Sequence, residues 1–152
     1  MDWLELRVPP VLQILVVGAG MGLVASELPR TALVPAPSSI ALLLAALGGA
    51  VALAGVHAFR AADTTVDPRY PERSSSLVIA GIYRYTRNPM YLGMLLVLGA
   101  WAVFLERPWV FLGLPVFLLY MNRFQIRPEE RIMSTRFGED YQRYVQSVRR
   151  WL

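Results

Sequence analysis

Four stretches of the chain carry almost no charged side chains. They run over residues 11–26, 38–59, 88–105 and 108–122. A helix rises about 1.5 Å per residue and the hydrocarbon core of a bilayer is about 30 Å thick, so about 20 apolar residues cross it. The fourth stretch reaches that length through Phe124 and Ile126 if Arg123 extends its guanidinium to the interface. The pattern predicts four spans at about 10–28, 38–60, 89–105 and 108–126.

The polar segments predict how these spans are connected within one membrane domain, 1–152. A long loop, 61–88, joins spans two and three, and its apolar run Leu77-Val78-Ile79 is expected to rest on the bilayer surface. Only Glu106-Arg107-Pro108 joins spans three and four, which predicts an antiparallel hairpin. Over 127–152, Tyr141, Tyr144, Val145, Val148 and Leu152 follow helical spacing among arginines, which indicates helices lying in the interface. The predicted fold class is an all-α, polytopic membrane helical bundle of about four transmembrane helices plus interfacial amphipathic C-terminal helices.

Small residues within the spans predict close helix packing. Gly18 and Gly22 lie one turn apart in span one with Gly20 between them, and span two contains the small residues Ala45, Ala46, Gly48, Gly49 and Gly55. Such residues allow helix backbones to approach closely in lipid. Pro115 is expected to kink span four or to loosen one of its turns.

The charge distribution predicts the orientation. Only 17% of the residues are charged, against about 25% in soluble domains. All the basic residues are arginines, and the outer loops of a four-span arrangement hold only Arg30 and Arg107. The positive-inside rule therefore puts both termini and the other arginines in the cytoplasm. Because these arginines flank membrane spans, lipid headgroups are the expected partner and nucleic acid is not.

The N-terminal sequence and the residue types allow two further possibilities to be weighed: a cleaved signal peptide, and disulfides or metal sites. The first apolar stretch could be a signal peptide cleaved near Val24-Ala25-Ser26. However, Asp2 and Glu5 precede it, whereas export signals begin with positive charge, and we therefore interpret it as a span. The absence of cysteine and the single histidine, His57, argue against disulfides and metal sites.

Two polar elements at the predicted cytoplasmic face suggest chemistry. Asn88-Pro89 is a typical helix start, with Asn as N-cap and Pro at the first helical position. With Arg87 beside it, this end of span three suits a carboxylate or phosphate, although a capped helix with an interfacial arginine explains it too.

The second element is Glu129-Glu130, which follows Arg127-Pro128. Acids in the first turn of a helix are ordinary helix-start chemistry. On an arginine-rich face they are also a local reversal of charge that could bind a cation, an ammonium group or a ribose diol. An anion site and a carboxylate pair together suit a zwitterionic ligand with a sugar, such as S-adenosylmethionine.

Several ordered motifs extend over the second half of the chain, roughly from Phe59 to Leu152. They are the loop Thr64-Thr65-Val66-Asp67-Pro68, the element Gly-x-Tyr-x-x-x-Arg-Asn-Pro-x-Tyr-x-Gly at Gly81 to Gly93, the pair Glu129-Glu130, and the tail Phe137-Gly138-x-x-Tyr141-x-x-Tyr144. On these motifs the chain resembles the isoprenylcysteine carboxyl methyltransferase and phospholipid methyltransferase superfamily of integral membrane enzymes. The first half matches only as apolar helices.

The resemblance implies an S-adenosylmethionine-dependent methyltransferase with a cytosol-facing cofactor pocket. Its implied lining residues are Tyr83, Arg87, Asn88, Pro89, Tyr91, Gly93, Glu129 and Glu130. The catalytic residues are expected to be Arg87 and Asn88. The best-known isoprenylcysteine enzymes have His at the position of Asn88; Asn keeps the hydrogen-bonding capacity but cannot titrate, which argues against proton transfer there.

The methyl acceptor is expected to be lipidic or a small apolar molecule, and O-, N- and S-methylation all stay open. A carboxylate acceptor needs no base, whereas an amine must be neutral when it attacks. His57 is the one histidine, and it is most simply an interfacial hydrogen-bonding residue, so the sequence leans towards a carboxylate or thiol acceptor. A phospholipid amine methyltransferase is the alternative. A non-catalytic lipid-binding or assembly protein is a second class, and a small transporter ranks last because the spans hold almost no ionisable residues.

Overall fold

The computed structural model describes residues 4–32, 34–62 and 76–152, which form helices joined by short irregular segments. Five α-helices follow in chain order: α1 (Pro10–Ser26), α2 (Pro37–Ala61), α3 (Pro89–Leu105), α4 (Gly113–Tyr120) and α5 (Arg127–Ser147). A 3-10 helix, Gly81–Arg84, precedes α3, and a second one, Pro108–Leu112, precedes α4. A π-helix, Met121–Ile126, joins α4 to α5. The predicted all-α fold class is confirmed for the described residues.

Two helical segments are long and apolar enough to cross a membrane by length and composition. They are α2 and the helical run Pro108–Ser147, which is kinked at Gly138. Helices α1 and α3 are apolar and 17 residues long, about 25 Å at the usual rise. These helices coincide with the four predicted segments, and α1 ends at Ser26, two residues before the predicted end of its span.

The closest helix pair is α2 with α3. A Cβ atom added to Gly93 would lie 2.5 Å from Gly48 O and 2.8 Å from Ala52 N. A Cβ on Gly55 would lie 2.9 Å from Met90 Cγ. The expected close packing of span two is therefore confirmed at Gly48 and Gly55, but not at Gly49, where an added Cβ would have no neighbour within 4 Å.

In span one, Gly18 and Gly22 face α3, where Trp101 Nε1 donates to Gly18 O at 3.0 Å, but the packing there does not require glycine. A Cβ on Gly18 or Gly22 would meet its nearest neighbour at 3.7 or 3.8 Å, which is ordinary van der Waals contact. Instead α1 approaches the fourth span at Gly113, where a Cβ would lie 2.6 Å from Met21 Cγ. The glycine that permits the contact thus belongs to the partner helix and not to α1.

The fourth span changes helix type twice. Pro115 is the third residue of α4, in the first turn, where a helix does not need its N–H group. The expected loosening appears just before it, as the 3-10 helix Pro108–Leu112. The π-helix that follows contains no proline. Single π-turns of this kind are frequent at functional sites.

The C-terminal segment is helical, as predicted, but two of its aromatic side chains do not lie where the spacing placed them. Gly138 breaks α5 with φ 51° and ψ −123°, a conformation that glycine adopts readily, and the helix ends at Ser147. Tyr141 and Tyr144 are buried against Val78 and Tyr83 and do not face lipid. The kink at Gly138 redirects the second half of α5 onto the protein, which is why the helical register could not place these rings.

The long loop is described only from residue 76 onward. Within Leu77-Val78-Ile79, Val78 is buried in the protein and only Ile79 is exposed, so the expected bilayer contact is wrong for Val78. The motif Thr64–Pro68 and the arginines Arg69 and Arg73 lie outside the described residues. Their interpretation stays a prediction.

Candidate functional site

The start of α3 is the first element of the site. Gly81 has a φ of 60°, which permits the 3-10 turn that leads the chain to Thr86, Arg87 and Asn88. Asn88 O accepts the first helical hydrogen bond, from Leu92 N at 2.9 Å, so the predicted helix boundary is correct. The predicted capping role of the Asn88 side chain is wrong, because this side chain makes no cap hydrogen bond. Its Nδ2 donates to Arg150 O at 2.9 Å.

Arg87 is the most highly connected residue of the site. Its side chain is only 10% exposed. Its Nη1 donates to Val148 O at 2.8 Å and to Val145 O at 3.1 Å, and its Nη2 donates to Glu130 Oε1 at 2.8 Å. Its Nε is the one buried side-chain nitrogen or oxygen without a hydrogen-bond partner within 4–32, 34–62 and 76–152. A buried donor without an acceptor is costly, so this atom is a candidate ligand contact.

Glu130 lies between two arginines. Besides Arg87, it accepts hydrogen bonds from Arg150 Nε at 3.0 Å and from Arg150 Nη2 at 2.5 Å. Bidentate arginine–carboxylate pairs are among the stronger polar contacts in proteins. Glu130, one of the two acids predicted at this face, is therefore in contact with Arg87. It also binds Arg150, near the C-terminus.

Glu129 forms a separate polar cluster nearer the helix bundle. Its Oε1 accepts hydrogen bonds from Tyr91 Oη at 2.5 Å and from Gln125 Nε2 at 2.6 Å. Burial raises the pKa of this carboxyl to about 7, the two hydrogen bonds lower it, and the charge of Glu130 raises it. Glu129 lies beyond Ile126, outside the apolar segment of the fourth span. It is thus a carboxyl group that titrates near neutral pH.

Gln125 and the end of the chain were missed by sequence reasoning. Gln125 is 2% exposed and sits in the π-helix, one residue before the end of the apolar stretch. A glutamine at the end of an apolar stretch, four residues before Glu129, was a sequence signal that could have indicated this contact.

We call residues 148–151 the C-terminal strap; it lies across the start of α3. Thr86 Oγ1 donates to Arg150 O at 3.3 Å, and Trp151 Nε1 donates to Asn122 Oδ1 at 3.2 Å.

The remaining predicted site residues lie farther from this network. Tyr83 is buried, and its carbonyl accepts a hydrogen bond from Tyr144 Oη at 2.8 Å. Pro89 and Gly93 face α2, at the contacts with Gly55 and Gly48. The structure therefore brings Arg87, Asn88 and Glu130 together through direct bonds or the shared partner Arg150. Tyr91 and Glu129 are bonded to each other in the neighbouring cluster.

A cavity of about 450 Å³ opens beside this network. It is lined by Arg87, Arg127, Glu130, Arg131, Ser134, Tyr141, Gln142, Val145 and Arg150. A second cavity of about 830 Å³ lies between the chain before α3 and the end of α5, with Arg84 and Arg143 in its wall. His57 is exposed on α2 and lines neither of these two cavities.

Comparison with known proteins gives a family and one relative. A family model described as phospholipid methyltransferase matches residues 37–140, which run from the first residue of α2 into the second half of α5. An uncharacterized protein of Haemophilus influenzae is 48% identical over 63 residues, which are 41% of this chain and the whole length of that protein. No solved structure matches.

Proposed function

The chain belongs to the phospholipid methyltransferase family and is an integral membrane protein, and from that premise we propose that it uses S-adenosylmethionine to methylate a lipidic or small apolar acceptor. The observation that carries this proposal is the Arg87–Glu130 contact beside the Tyr91–Glu129 contact. Together these two contacts join the start of α3 to the first turn of α5. The positive-inside distribution of arginines supports a cytoplasmic position for the site.

The chemistry of the side chains fits the proposed cofactor. S-adenosylmethionine carries one carboxylate, two cationic groups and a ribose diol. Arg87 supplies a guanidinium whose Nε has no partner, which suits the carboxylate. Glu129 and Glu130 supply the acceptors that an ammonium group or a diol needs. When bound, the cofactor supplies an electrophilic methyl group on its sulfonium.

In such a reaction the protein's own residues hold the cofactor and the acceptor in fixed geometry and exclude water. They also accept one proton where the acceptor is an ammonium group. Fixed geometry between nucleophile and methyl carbon can supply much of the acceleration of an in-line displacement. The apolar helices around Tyr91 and Gln125 keep the site poor in water, which favours a step that removes charge.

Glu129 is a candidate base for an amine acceptor. The sequence leaned towards a carboxylate or thiol acceptor because it offered no convincing base. A carboxyl group whose pKa is about 7 can take the proton of an ammonium acceptor near neutral pH. We therefore give a phospholipid amine equal standing with a carboxylate or thiol acceptor.

Direct binding tests the proposal. Saturable binding of labelled S-adenosylmethionine is measured on detergent-purified protein whose folding is checked by size-exclusion chromatography. Glu129→Gln and Glu130→Gln remove the charge with little change of shape, and each is expected to weaken binding about tenfold or more. Glu139→Gln, at an exposed position of the same helix, is the control and should bind like the parent.

Label transfer separates the enzyme from the alternative class. With methyl-labelled cofactor and fractionated membrane lipids, an enzyme transfers label to one lipid fraction. Binding without any transfer would favour a non-catalytic lipid-binding or assembly protein. No saturable binding by folded protein would overturn the proposal.

A further inference from the structure

The chain segment before α1 contacts the π-helix. We call residues 4–9 of this segment the N-terminal arm; they lie outside residues 37–140, which the family model matches. Leu6 N donates to Phe124 O at 3.0 Å. Arg123 Nη1 donates to Glu5 Oε1 at 2.6 Å. The arm therefore lies at the end of the bundle that contains the candidate site.

The carbonyl of Phe124 needs a donor from outside its own helix. In an α-helix it would accept a hydrogen bond from the N–H group four residues later. That residue is Pro128, which has no N–H group and whose ring crowds the carbonyl four residues before it. The chain forms a π-turn here, in which Arg127 N donates to Asn122 O, five residues earlier. Leu6 N–H supplies the donor that Pro128 lacks.

Glu5 connects the two helical elements that carry the buried polar cluster. One of its oxygens binds Arg123 in the π-helix, and the other binds Arg131 in α5. Arg123 lies two residues before Gln125. Arg131 lies two residues after Glu129. A single carboxylate, whose side chain is only 13% exposed, therefore bridges the chain on either side of the Gln125–Glu129 hydrogen bond.

The arm and the helix bundle hold opposite faces of α5. Side chains two residues apart on an α-helix point about 200° apart around its axis. Arg131 accordingly lies on the outer face, where it is 62% exposed and binds Glu5. Glu129 lies on the inner face, where it binds Tyr91. The first turns of α5 are thus fixed from both sides.

Leu6 adopts a backbone conformation that costs free energy. Its φ is 59°, in the left-handed region that residues other than glycine avoid. Such a conformation persists only where surrounding contacts fix it. The hydrogen bond of Leu6 N–H and the two ion pairs of the adjacent Glu5 are such contacts. The arm is therefore held in one defined position on the π-helix.

We propose that Glu5 is a positioning residue, which holds the π-helix and α5 so that Gln125 and Glu129 stay in contact and shielded from water. It acts through Arg123 and Arg131. The consequence for ligand binding rests on the proposed function, in which Glu129 meets the cofactor or takes a proton. The position of Glu129 itself does not rest on it and can be measured without a ligand.

The first experiment measures the pH dependence of the thermal midpoint in detergent. Water that reaches the Glu129 carboxyl would bring its raised pKa back towards the usual value. The window is pH 5.5 to 7. Because the hydrogen bond from Arg123 holds the pKa of Glu5 below its usual value, Glu5 is ionised throughout this window. The other titratable groups that act on Glu129 are the same in every variant: Tyr83, Tyr91, Glu130 and Tyr141.

Four variants make the comparison. Glu5→Gln removes the bridging charge with little change of shape. Leu6→Pro removes the N–H group and cannot adopt a positive φ, whereas Leu6→Gly keeps the N–H group and adopts that φ readily. Glu27→Gln removes one exposed acid beyond the opposite end of α1 and is the charge control.

In the parent the midpoint falls as the pH rises through this window, because the folded protein keeps a proton on Glu129 that the unfolded chain has lost. Glu5→Gln and Leu6→Pro are expected to reduce this fall to about half or less. Leu6→Gly and Glu27→Gln should keep it. If Glu5→Gln does not fold, the two Leu6 variants carry the same test. A midpoint lowered equally at every pH in Glu5→Gln would overturn the proposal, because it indicates a stabilising contact that does not position Glu129.

The second experiment measures binding of labelled S-adenosylmethionine at pH 8. Glu129 is largely ionised at this pH in the parent and in the variants, so a change of affinity reports its position and not its charge. Glu5→Gln is expected to weaken binding several-fold, with Glu27→Gln close to the parent. If the folded parent binds no cofactor, the proposed function fails, and the pH comparison still decides the role of Glu5. Parent-like affinity together with a parent-like pH dependence in Glu5→Gln would overturn the positioning role.

Discussion

Tyr91 donates a 2.5 Å hydrogen bond to the carboxylate of Glu129 and so connects the first turn of α3 to the first turn of α5. The two residues are 38 positions apart in the chain. Gln125 donates to the same oxygen from the π-helix. Three elements, α3, the π-helix and α5, therefore converge on one carboxyl group, and the position of that group depends on all three.

Replacing Tyr91 by Phe should weaken this convergence. The variant loses the hydroxyl while Gln125 still holds the carboxylate, so we expect a loss of about 1–2 kcal/mol in the free energy of unfolding. Thermal unfolding in detergent should show a lower midpoint. Tyr85→Phe, at a ring that is 75% exposed, is the matched control. Equal midpoints for Tyr91→Phe and the parent would contradict a stabilising role of the bond.

Hydrophobic pattern was sufficient to predict the helices but not the contacts between them. The predicted span 89–105 coincides with α3, because apolar stretches bounded by charge and by proline have few other structures open to them in a bilayer. The prediction failed where a single residue decides the packing. The Gly18–Gly22 spacing attracted the prediction because it forms a motif, whereas the close approach of α1 occurs at Gly113, which belongs to no motif.

In the candidate site, the sequence predicted Arg87 and Glu130 as neighbouring polar groups, and they are in contact. It did not predict that the strap joins them. Local spacing could not reveal that Arg150 completes the pair, since its place is set by hydrogen bonds to residues about 60 positions earlier. The same strap binds the Asn88 side chain, whose Nδ2 donates to Arg150 O. Nothing near Asn88 in the sequence indicates this contact.

The α2–α3 crossing gives a sharp packing prediction. A methyl group at position 93 would meet the backbone of α2 at 2.5 Å, and backbone cannot move aside as a side-chain end can. Gly93→Ala should therefore lower the free energy of unfolding by about 3 kcal/mol or prevent folding. Gly99→Ala in the same helix has no neighbour within 4 Å and should be tolerated. Fluorescence-detected size-exclusion chromatography compares the two, and equal profiles would contradict the close crossing.

The pKa of Glu129 predicts how stability depends on pH. Burial raises this pKa from 4.5 to about 7, so the folded protein keeps a proton that the unfolded chain releases near pH 4.5. Because the folded state binds more protons in this window, the contribution of Glu129 to stability falls as the pH rises from about 4.5 to about 7. Thermal midpoints measured across that window should fall less steeply in Glu129→Gln than in the parent. Equal slopes would exclude a raised pKa.

The same titration predicts the pH dependence of cofactor binding. A cationic ligand favours the ionised carboxylate, so affinity for S-adenosylmethionine should rise between pH 6 and pH 7.5. The rise is expected to be several-fold in the parent, because only the fraction of protein with ionised Glu129 binds well. Glu129→Gln should bind more weakly with a nearly flat profile. A flat profile in the parent would show that Glu129 does not meet the cationic groups.

The strap predicts a competition at Glu130. Arg150 occupies both oxygens of this carboxylate, so a cationic group of the cofactor has to displace its guanidinium. Arg150→Gln removes the competitor and leaves Arg87 in place, and cofactor affinity should increase several-fold, since a charge-assisted hydrogen bond contributes roughly 1.5–3 kcal/mol and part of that is regained on binding. Arg149→Gln, whose side chain is exposed, removes the neighbouring charge as the control. Weaker binding in Arg150→Gln with unchanged binding in Arg149→Gln would mean that Arg150 contacts the cofactor and does not compete with it.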